Sequence, residues 1–374
     1  MFRSLFTIAI IMLIAGGVAC AAEKKSAWSP ELKVGLIIAT DKVTLNFSAP
    51  CNLTDLETGK VIAKIPAGKS FVVKSSELKT SAAEIRPQKI ALKDLQTTVN
   101  GKIYFGGIRF IKVKNLFNVI NLVPVEEYLH GVLSKEMSPD FPIEALKAQA
   151  VAARSFAMKN RGKHELEGFD ICATVHCQVY DGVISHWAVN KAVEETRGEI
   201  MTFGGKIADT NFHADSGGMT ESVRDVWGTA TPYLIAVREI INLSSPWIVK
   251  VPLKDFSSRF GDGFGDLKLV KLSKMSVGQS ADDRTSSGRV KTARLVGSNK
   301  TVDISGSNLR RKFSLPSTLF DITVVGNEVI FRGYGRGHGV GMSQMGAKSY
   351  AEDGWSYRKI LEHYYSGAEL KKVY

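Results

Sequence analysis

The spacing of apolar positions changes at Pro124. Before it, over residues 32–120, apolar residues alternate with polar ones or gather in short β-branched runs. Val43-Thr-Leu-Asn-Phe47 and Ser70-Phe-Val-Val-Lys74 are examples, with Gly59 and Gly68 at turns. A period of two marks half-buried strands, and residues 104–113 and 118–123 predict two more. After Pro124 the period becomes helical. Val125, Tyr128, Leu129, Val132 and Leu133 share one face of a helix over 125–137, with proline at its first turn and Ser138-Pro139 as its stop. A second helix is predicted from 142 to 160, with an alanine-rich face suited to close packing. A third covers 187–196 and ends at Gly198. Residues 199–203 and 206–212, joined by Gly204-Gly205, predict a hairpin.

Residues 247–332 return to a mixed pattern. It predicts a short helix at 255–260, strands near 268–272, 289–296 and 322–332, and an exposed polar loop over 276–288. The chain closes with a glycine-dense stretch, 333–341, and helical patterns over 343–350 and 356–365. Strands and helices do not alternate regularly, so the expected class is α+β rather than a doubly wound sheet. The predicted organisation is a small β-rich N-terminal region over 32–117, followed by a larger mixed domain over 118–374. That domain carries a β-rich insertion around 247–332.

Composition adds a compartment and a class of partner. The 374 residues are 44% hydrophobic and 23% charged, an ordinary globular balance with ample material for a core. The formal charge of +12 suits an acidic partner: nucleic acid, an anionic membrane or an acidic wall polymer. Arg3, the apolar run 5–14 broken by Thr7, and Ala19-Cys-Ala21 read as a secretory signal peptide over 1–21. That run is short for a membrane span of about 20 residues. A lipid-anchored form through Cys20 has Gly17 where leucine is usual. Export favours the envelope and argues against nucleic acid. Cleavage leaves Cys51, Cys172 and Cys177, so export favours a disulfide between the close pair, with metal binding beside it.

Four segments concentrate reactive side chains. In Gly131-Val-Leu-Ser-Lys-Glu136, the carboxyl sits in the last turn of an amphipathic helix. The negative end of the helix dipole and apolar neighbours both raise a carboxyl pKa, as a general acid requires. A solvated glutamate paired with Lys135 or Arg154 is the plain alternative. In Asp170-Ile-Cys-Ala-Thr-Val-His-Cys-Gln-Val-Tyr180, the residues Cys172, His176 and Cys177, with His164 upstream, supply soft ligands suited to zinc. A disulfide fits the two thiols equally well. Asn211-Phe-His-Ala-Asp-Ser-Gly-Gly218 lacks the G-x-S-x-G elbow of a serine hydrolase and reads as a tight polar turn. The stretch Gly333-Tyr-Gly-Arg-Gly-His-Gly-Val-Gly341 has no G-K-[ST] and no preceding Rossmann pattern to support a phosphate loop, and a purely structural glycine loop is the plain alternative. Its glycines suit backbone packing that presents His338 and Gln344 in a cleft.

In this order the four segments resemble the SpoIID/LytB family. The matching text is Val123-Pro-Val-Glu-Glu-Tyr-Leu-His-Gly-Val-Leu-Ser-Lys-Glu-Met137, Ala145-Leu-Lys-Ala-Gln-Ala-Val-Ala-Ala-Arg-Ser155 and Cys177-Gln-Val-Tyr180. Ser216-Gly-Gly218, Trp227-Gly228, Pro232-Tyr-Leu234 and Gly337-His-Gly-Val-Gly-Met-Ser-Gln344 complete it. The resemblance covers roughly two thirds of the chain, from Asn118 onward.

It implies a peptidoglycan lytic transglycosylase that prefers glycan strands stripped of stem peptides, with Glu136 as acid and then base. It implies substrate contacts from Arg154, Gln178, Tyr180, His213, Ser216, Gly217, Gly218, His338 and Gln344. It also implies a structural zinc held by Cys172, Cys177 and a histidine, His164 or His176. A single conspicuous carboxyl agrees with that chemistry, because the sugar's own 6-hydroxyl serves as nucleophile where a hydrolase needs a second carboxylate. The partners implied are glycan strands and a cell-wall amidase. Two other readings stand beside it: a non-catalytic wall protein that enhances an amidase, and a zinc amidase. The second would need an open metal site with two or more histidine ligands and a base.

Overall fold

The structure, a computed structural model, describes residues 28–240 and 246–374 of the chain. The predicted signal peptide lies outside the described residues. The class is α+β. Eight helices are described: α1 (Val125–Glu136), α2 (Ile143–Lys159), α3 (Trp187–Glu195), α4 (Val223–Trp227), α5 (Leu253–Ser258), α6 (Gly306–Phe313), α7 (Gln344–Glu352) and α8 (Tyr357–Tyr364).

The largest sheet has seven strands in the order Ile171–Cys172, Glu31–Thr40, Leu116–Pro124, Gly107–Val113, Ala82–Pro87, Cys51–Asp55 and Val61–Ile65. A four-stranded sheet, built from residues between Lys42 and Phe105, packs its inward side chains Val43, Leu45, Phe47 and Val99 into the same core. Leu116–Pro124 is flanked by strands on both sides and is buried at seven of its nine residues, which is why it reads as a nearly continuous apolar run. It ends at Pro124, and that residue's extended backbone starts α1. The central strand therefore sets the direction in which α1 carries Glu136.

The second helix lies between two cores. Ala150, Ala153 and Ala157 face the core of the large sheet, where Tyr128, Leu129, Val132 and Leu133 of α1 also pack. Ala145, Leu146, Ala148, Val151 and Ala152 face a second core with Tyr350 of α7 and Ile360, Leu361 and Tyr364 of α8. Burial nearly all round explains the alanines, since small side chains let both layers approach the helix closely.

A third core is built wholly from 247–333. Its strands form two three-stranded antiparallel sheets, and Phe256, Phe313 and Phe331 stack at its centre, the first two with centroids 4.8 Å apart. Two expectations change here, and one helix, α6, was not expected. The strand expected over 322–332 is a hairpin of Phe320–Val325 and Glu328–Gly333, turned by Gly326 at φ 56°. The expected exposed loop over 276–288 is anchored by Arg284, which is 1% exposed and donates to the carbonyls of Gly288 and Phe320 and to Asp321. Helix α6 carries mostly polar residues, so its period was not visible.

The expected hairpin of 199–203 with 206–212 is shorter than predicted. Only Lys206–Ile207 pairs back. Thr210 then donates from Oγ1 to the Ala152 carbonyl (2.7 Å), and the chain turns away so that Phe212–His213 pairs in parallel with Met342–Ser343. That two-residue pairing joins segments about 130 positions apart and assembles the cleft described next.

Candidate functional site

A cleft of about 470 Å³ opens where the end of α1, the 172–179 loop, the 209–213 segment and the glycine-rich turn meet. Glu136, the last residue of α1, lies in its wall, half-buried. Its Oε1 accepts from the Val179 backbone N–H at 3.3 Å, and its Oε2 from the Gln344 side-chain amide at 3.5 Å. Burial raises its pKa above the ordinary carboxylate range, and these two neutral donors only partly offset it.

Other expected residues reach the same cleft. Gln178 lines it, its side chain held by the Tyr128 hydroxyl (2.9 Å) and the Ala153 carbonyl (3.4 Å). His213 and His338 line it with ring centroids 5.5 Å apart. Burial drives both histidines toward the neutral form, His213 well below the ordinary range and His338 down to about 4. Nδ1 of His213 bonds the Val340 carbonyl at 3.1 Å, and Nε2 has no protein partner.

Five expected contacts belong to the scaffold instead. Arg154 is 0% exposed and forms a bidentate pair with Glu126, at 3.0 and 2.7 Å, so it does not reach the cleft. Tyr180 is also buried, its hydroxyl on Asn121 (3.0 Å) and its ring beside those of Tyr104 and Tyr128. The loop after it packs directly on α1: a Cβ at Gly131 would meet the Tyr180 ring at 2.5 Å. Ser216 is buried and donates to Glu239. Gly217 and Gly218 are buried in positive-φ backbone, and a Cβ at Gly217 would meet Leu319 at 2.7 Å. These glycines let the Ser216 turn sit against the glycine-rich turn, and they do not line the cleft.

Among the cleft residues that sequence reasoning missed are Asp209, Asn211 and Trp227. Asp209 and Asn211 precede His213 at alternate positions, and Asp209 Oδ1, Asn211 Nδ2 and His213 Nε2 all lack a protein partner. Buried polar atoms are nearly always paired, so three unpaired ones on residues that line one cleft stand out. The backbone behind them is held by Tyr233, Thr210 and Tyr365. Trp227, 49% exposed at the end of α4, offers its face on the rim beside His338, 5.2 Å between centroids. The Trp227-Gly228 pair was visible as a motif, but its place on the rim was not.

Next to the cleft, His164, Cys172, His176 and Cys177 bring their ligand atoms within 4.8 Å of one another. Both cysteines are free thiols. Cys172 Sγ to His176 Nδ1, Cys177 Sγ to His164 Nε2 and Cys177 Sγ to His176 Nδ1 measure 3.6, 3.5 and 3.7 Å. A tetrahedral zinc with bonds of about 2.0–2.3 Å spaces its ligands about 3.4–3.8 Å apart, so these four atoms fit such an ion. Glu167 bonds Nδ1 of His164, which leaves Nε2 facing the sulfurs, as a carboxylate does behind a metal-bound histidine.

A family model described as "Stage II sporulation protein" matches residues 113–203, and one described as a domain of unknown function matches 247–341. An uncharacterized protein of Brachyspira hyodysenteriae is 37% identical over 283 residues, 73% of each chain. Stage II sporulation protein D of Bacillus amyloliquefaciens is 33% identical over 67% of this chain and 75% of its own length. The amidase enhancer of Bacillus subtilis is 31% identical over 78% of this chain, and 47% of that protein is covered. The chain belongs to the SpoIID/LytB family, that of stage II sporulation protein D.

Proposed function

We propose that the protein is an exported cell-wall enzyme, a lytic transglycosylase that cuts peptidoglycan glycan strands at Glu136. The observation that carries this reading is a half-buried carboxyl in a cleft wall, its pKa raised by burial and its two oxygens met by neutral N–H groups. Protonated, Glu136 donates to the glycosidic oxygen as the C1–O bond breaks. The resulting carboxylate then accepts the proton of the sugar's 6-hydroxyl, and O6 bonds to C1 to close a 1,6-anhydro ring. No water is consumed. Asp209, Asn211, His213 and Gln178 hold sugar hydroxyls and the N-acetyl group, and Trp227 offers an apolar face for a sugar ring.

Zinc, held by Cys172, Cys177, His164 and His176, would supply a structural clamp rather than chemistry. Gln178 and Val179 follow Cys177 directly, so the loop those ligands shape sets the N–H that meets Glu136.

Asp209 favours a second reading. A second carboxylate in the cleft is what a hydrolase needs to activate water. One relative is named an amidase enhancer, and a non-catalytic role of that kind predicts glycan binding without cleavage. Digestion of bare glycan in heavy-oxygen water separates all three. The transglycosylase leaves 1,6-anhydro ends without heavy oxygen, and Glu136→Gln abolishes them. Heavy oxygen at reducing ends, lost in Asp209→Asn, would establish hydrolysis. Intact glycan would leave the enhancer.

A further inference from the structure

A second cavity, of about 900 Å³, adjoins the cleft and shares Trp227 and His338 with it. Its far wall comes from the 247–341 segment, through α6 and the turn at Arg289. Arg289 is 2% exposed. Its Nη2 donates to the Ser216 carbonyl at 2.8 Å, while Nε and Nη1 have no protein partner. Leaving buried guanidinium N–H groups unpaired is costly, and a fold that keeps them points to a ligand that completes them. The guanidinium is seated against the glycine-rich turn, where a Cβ on Gly339 would meet Nε at 2.7 Å.

The charges around Arg289 favour an anion. Lys291, Arg310 and Arg311 line the same cavity, against the two acids Glu221 and Asp225. Glu221 is buried, but its oxygens are taken by the hydroxyls of Thr285 and Ser287 (2.5 and 2.6 Å) and by the Ser222 N–H (2.9 Å). Arg289, lowered by burial to about 10, stays cationic at neutral pH.

We infer that this cavity is an oxyanion subsite, centred on Arg289, that holds a carboxylate of the glycan strand lying at Glu136. The inference rests on the glycan-cleaving reading above and names what the second cavity takes. The chemistry selects the group. A muramyl sugar without its stem peptide ends its lactyl ether in a free carboxylate, whereas a stem peptide turns that carboxylate into a neutral amide. A cationic subsite beside the cleft therefore pairs with a carboxylate held directly on the sugar's lactyl ether, and it gives the 247–341 segment a role in holding the strand.

The test reads binding, by full-length Glu136→Gln protein, of bare glycan and of the same glycan with its carboxylates converted to methylamides. The carboxylate form should bind about tenfold more tightly or better, the scale of one buried charge-assisted hydrogen bond. Arg289→Gln in that background should erase the difference. Equal binding of the two strands, or a preference that survives Arg289→Gln in a folded protein, overturns the inference. If Arg289→Gln does not fold, the double change Lys291→Gln and Arg311→Gln at the cavity mouth should weaken only the carboxylate form, and equal loss for both strands overturns it. Tighter binding of polyglycerol phosphate than of bare glycan also overturns it. Wild-type protein that fails to cleave, beside a Glu136→Gln variant that keeps the preference, removes the catalytic reading and leaves this subsite standing.

Discussion

Replacing Arg154 by methionine separates a scaffold role from a glycan contact. The Arg154–Glu126 pair is completely enclosed, with side chains 0% and 1% exposed. Arg154 also donates to the Val193 and Glu199 carbonyls, and Glu126 accepts from the Gly198 N–H and the Tyr374 hydroxyl. One ion pair thus ties the first turn of α1 to α2, to the end of α3 and to the last residue. Removing one partner of such a pair leaves a buried charge uncompensated and costs about 3–5 kcal/mol, a large share of a total stability of about 5–15 kcal/mol. Urea denaturation of Arg154→Met should show that loss at neutral pH.

The pH dependence of this loss has a definite sign. Burial raises the Glu126 pKa, but Arg154 outweighs it and the folded value lies below the ordinary one. The stabilisation is therefore present above the unfolded pKa, about 4.3, and is lost as pH falls through the folded value. The gap between wild type and Arg154→Met should narrow in acid. The double variant Glu126→Leu/Arg154→Met removes both charges and should recover most of the loss. A loss below about 1 kcal/mol, or a folded double variant that no longer binds glycan, would refute the scaffold role.

Gly131→Ala sets a helix-propensity gain of about 0.5–1 kcal/mol against overpacking of about 1–3 kcal/mol, because the Tyr180 ring it would strike is held by Tyr104, Tyr128 and Asn121. Melting should drop by a few degrees and turnover should fall further as Val179 shifts; wild-type values for both would mean that the ring gives way. For Glu136, the folded pKa is raised, so its ionisation costs stability as pH rises through that value. Glu136→Gln should therefore melt at or above wild type at pH near 8, with the gap closing below about pH 4; a lower melting point at pH near 8 contradicts the assignment. Wild-type turnover should likewise decline as pH rises through the same pKa. Elemental analysis should find about one zinc per chain, and a chelator should lower the melting temperature; metal-free protein of equal stability would reject the clamp.

Local signals carried the reading of α1 and α2. Proline stops and apolar spacing are properties of short stretches, so Glu136 at the end of a helix was legible directly. The donor set at His164, Cys172 and Cys177 was legible from residue chemistry, but the gathering of all four ligand atoms, His176 included, within 4.8 Å of one another was not. Polar residues were harder to place. Arg154 and Tyr180 sit inside motifs that also carry cleft residues, and nothing in their spacing tells a ligand contact from a buried tie. A pattern of residue types records that a position is constrained. The direction in which the side chain points depends on what packs against it.

The amino-acid sequence by itself determined the α+β class, the helix that bears Glu136, the soft-ligand cluster and the family, because each depends on order or spacing along the chain. Tertiary structure decided the cleft. The parallel pairing of Phe212–His213 with Met342–Ser343 brings Asp209, Asn211 and His213 to the same cleft as Glu136, and the 247–341 segment supplies Arg289 to the neighbouring cavity. Such long-range pairings are fixed by the burial of α2 between two cores and by glycines that admit close backbone contact. Neither leaves a period in the sequence.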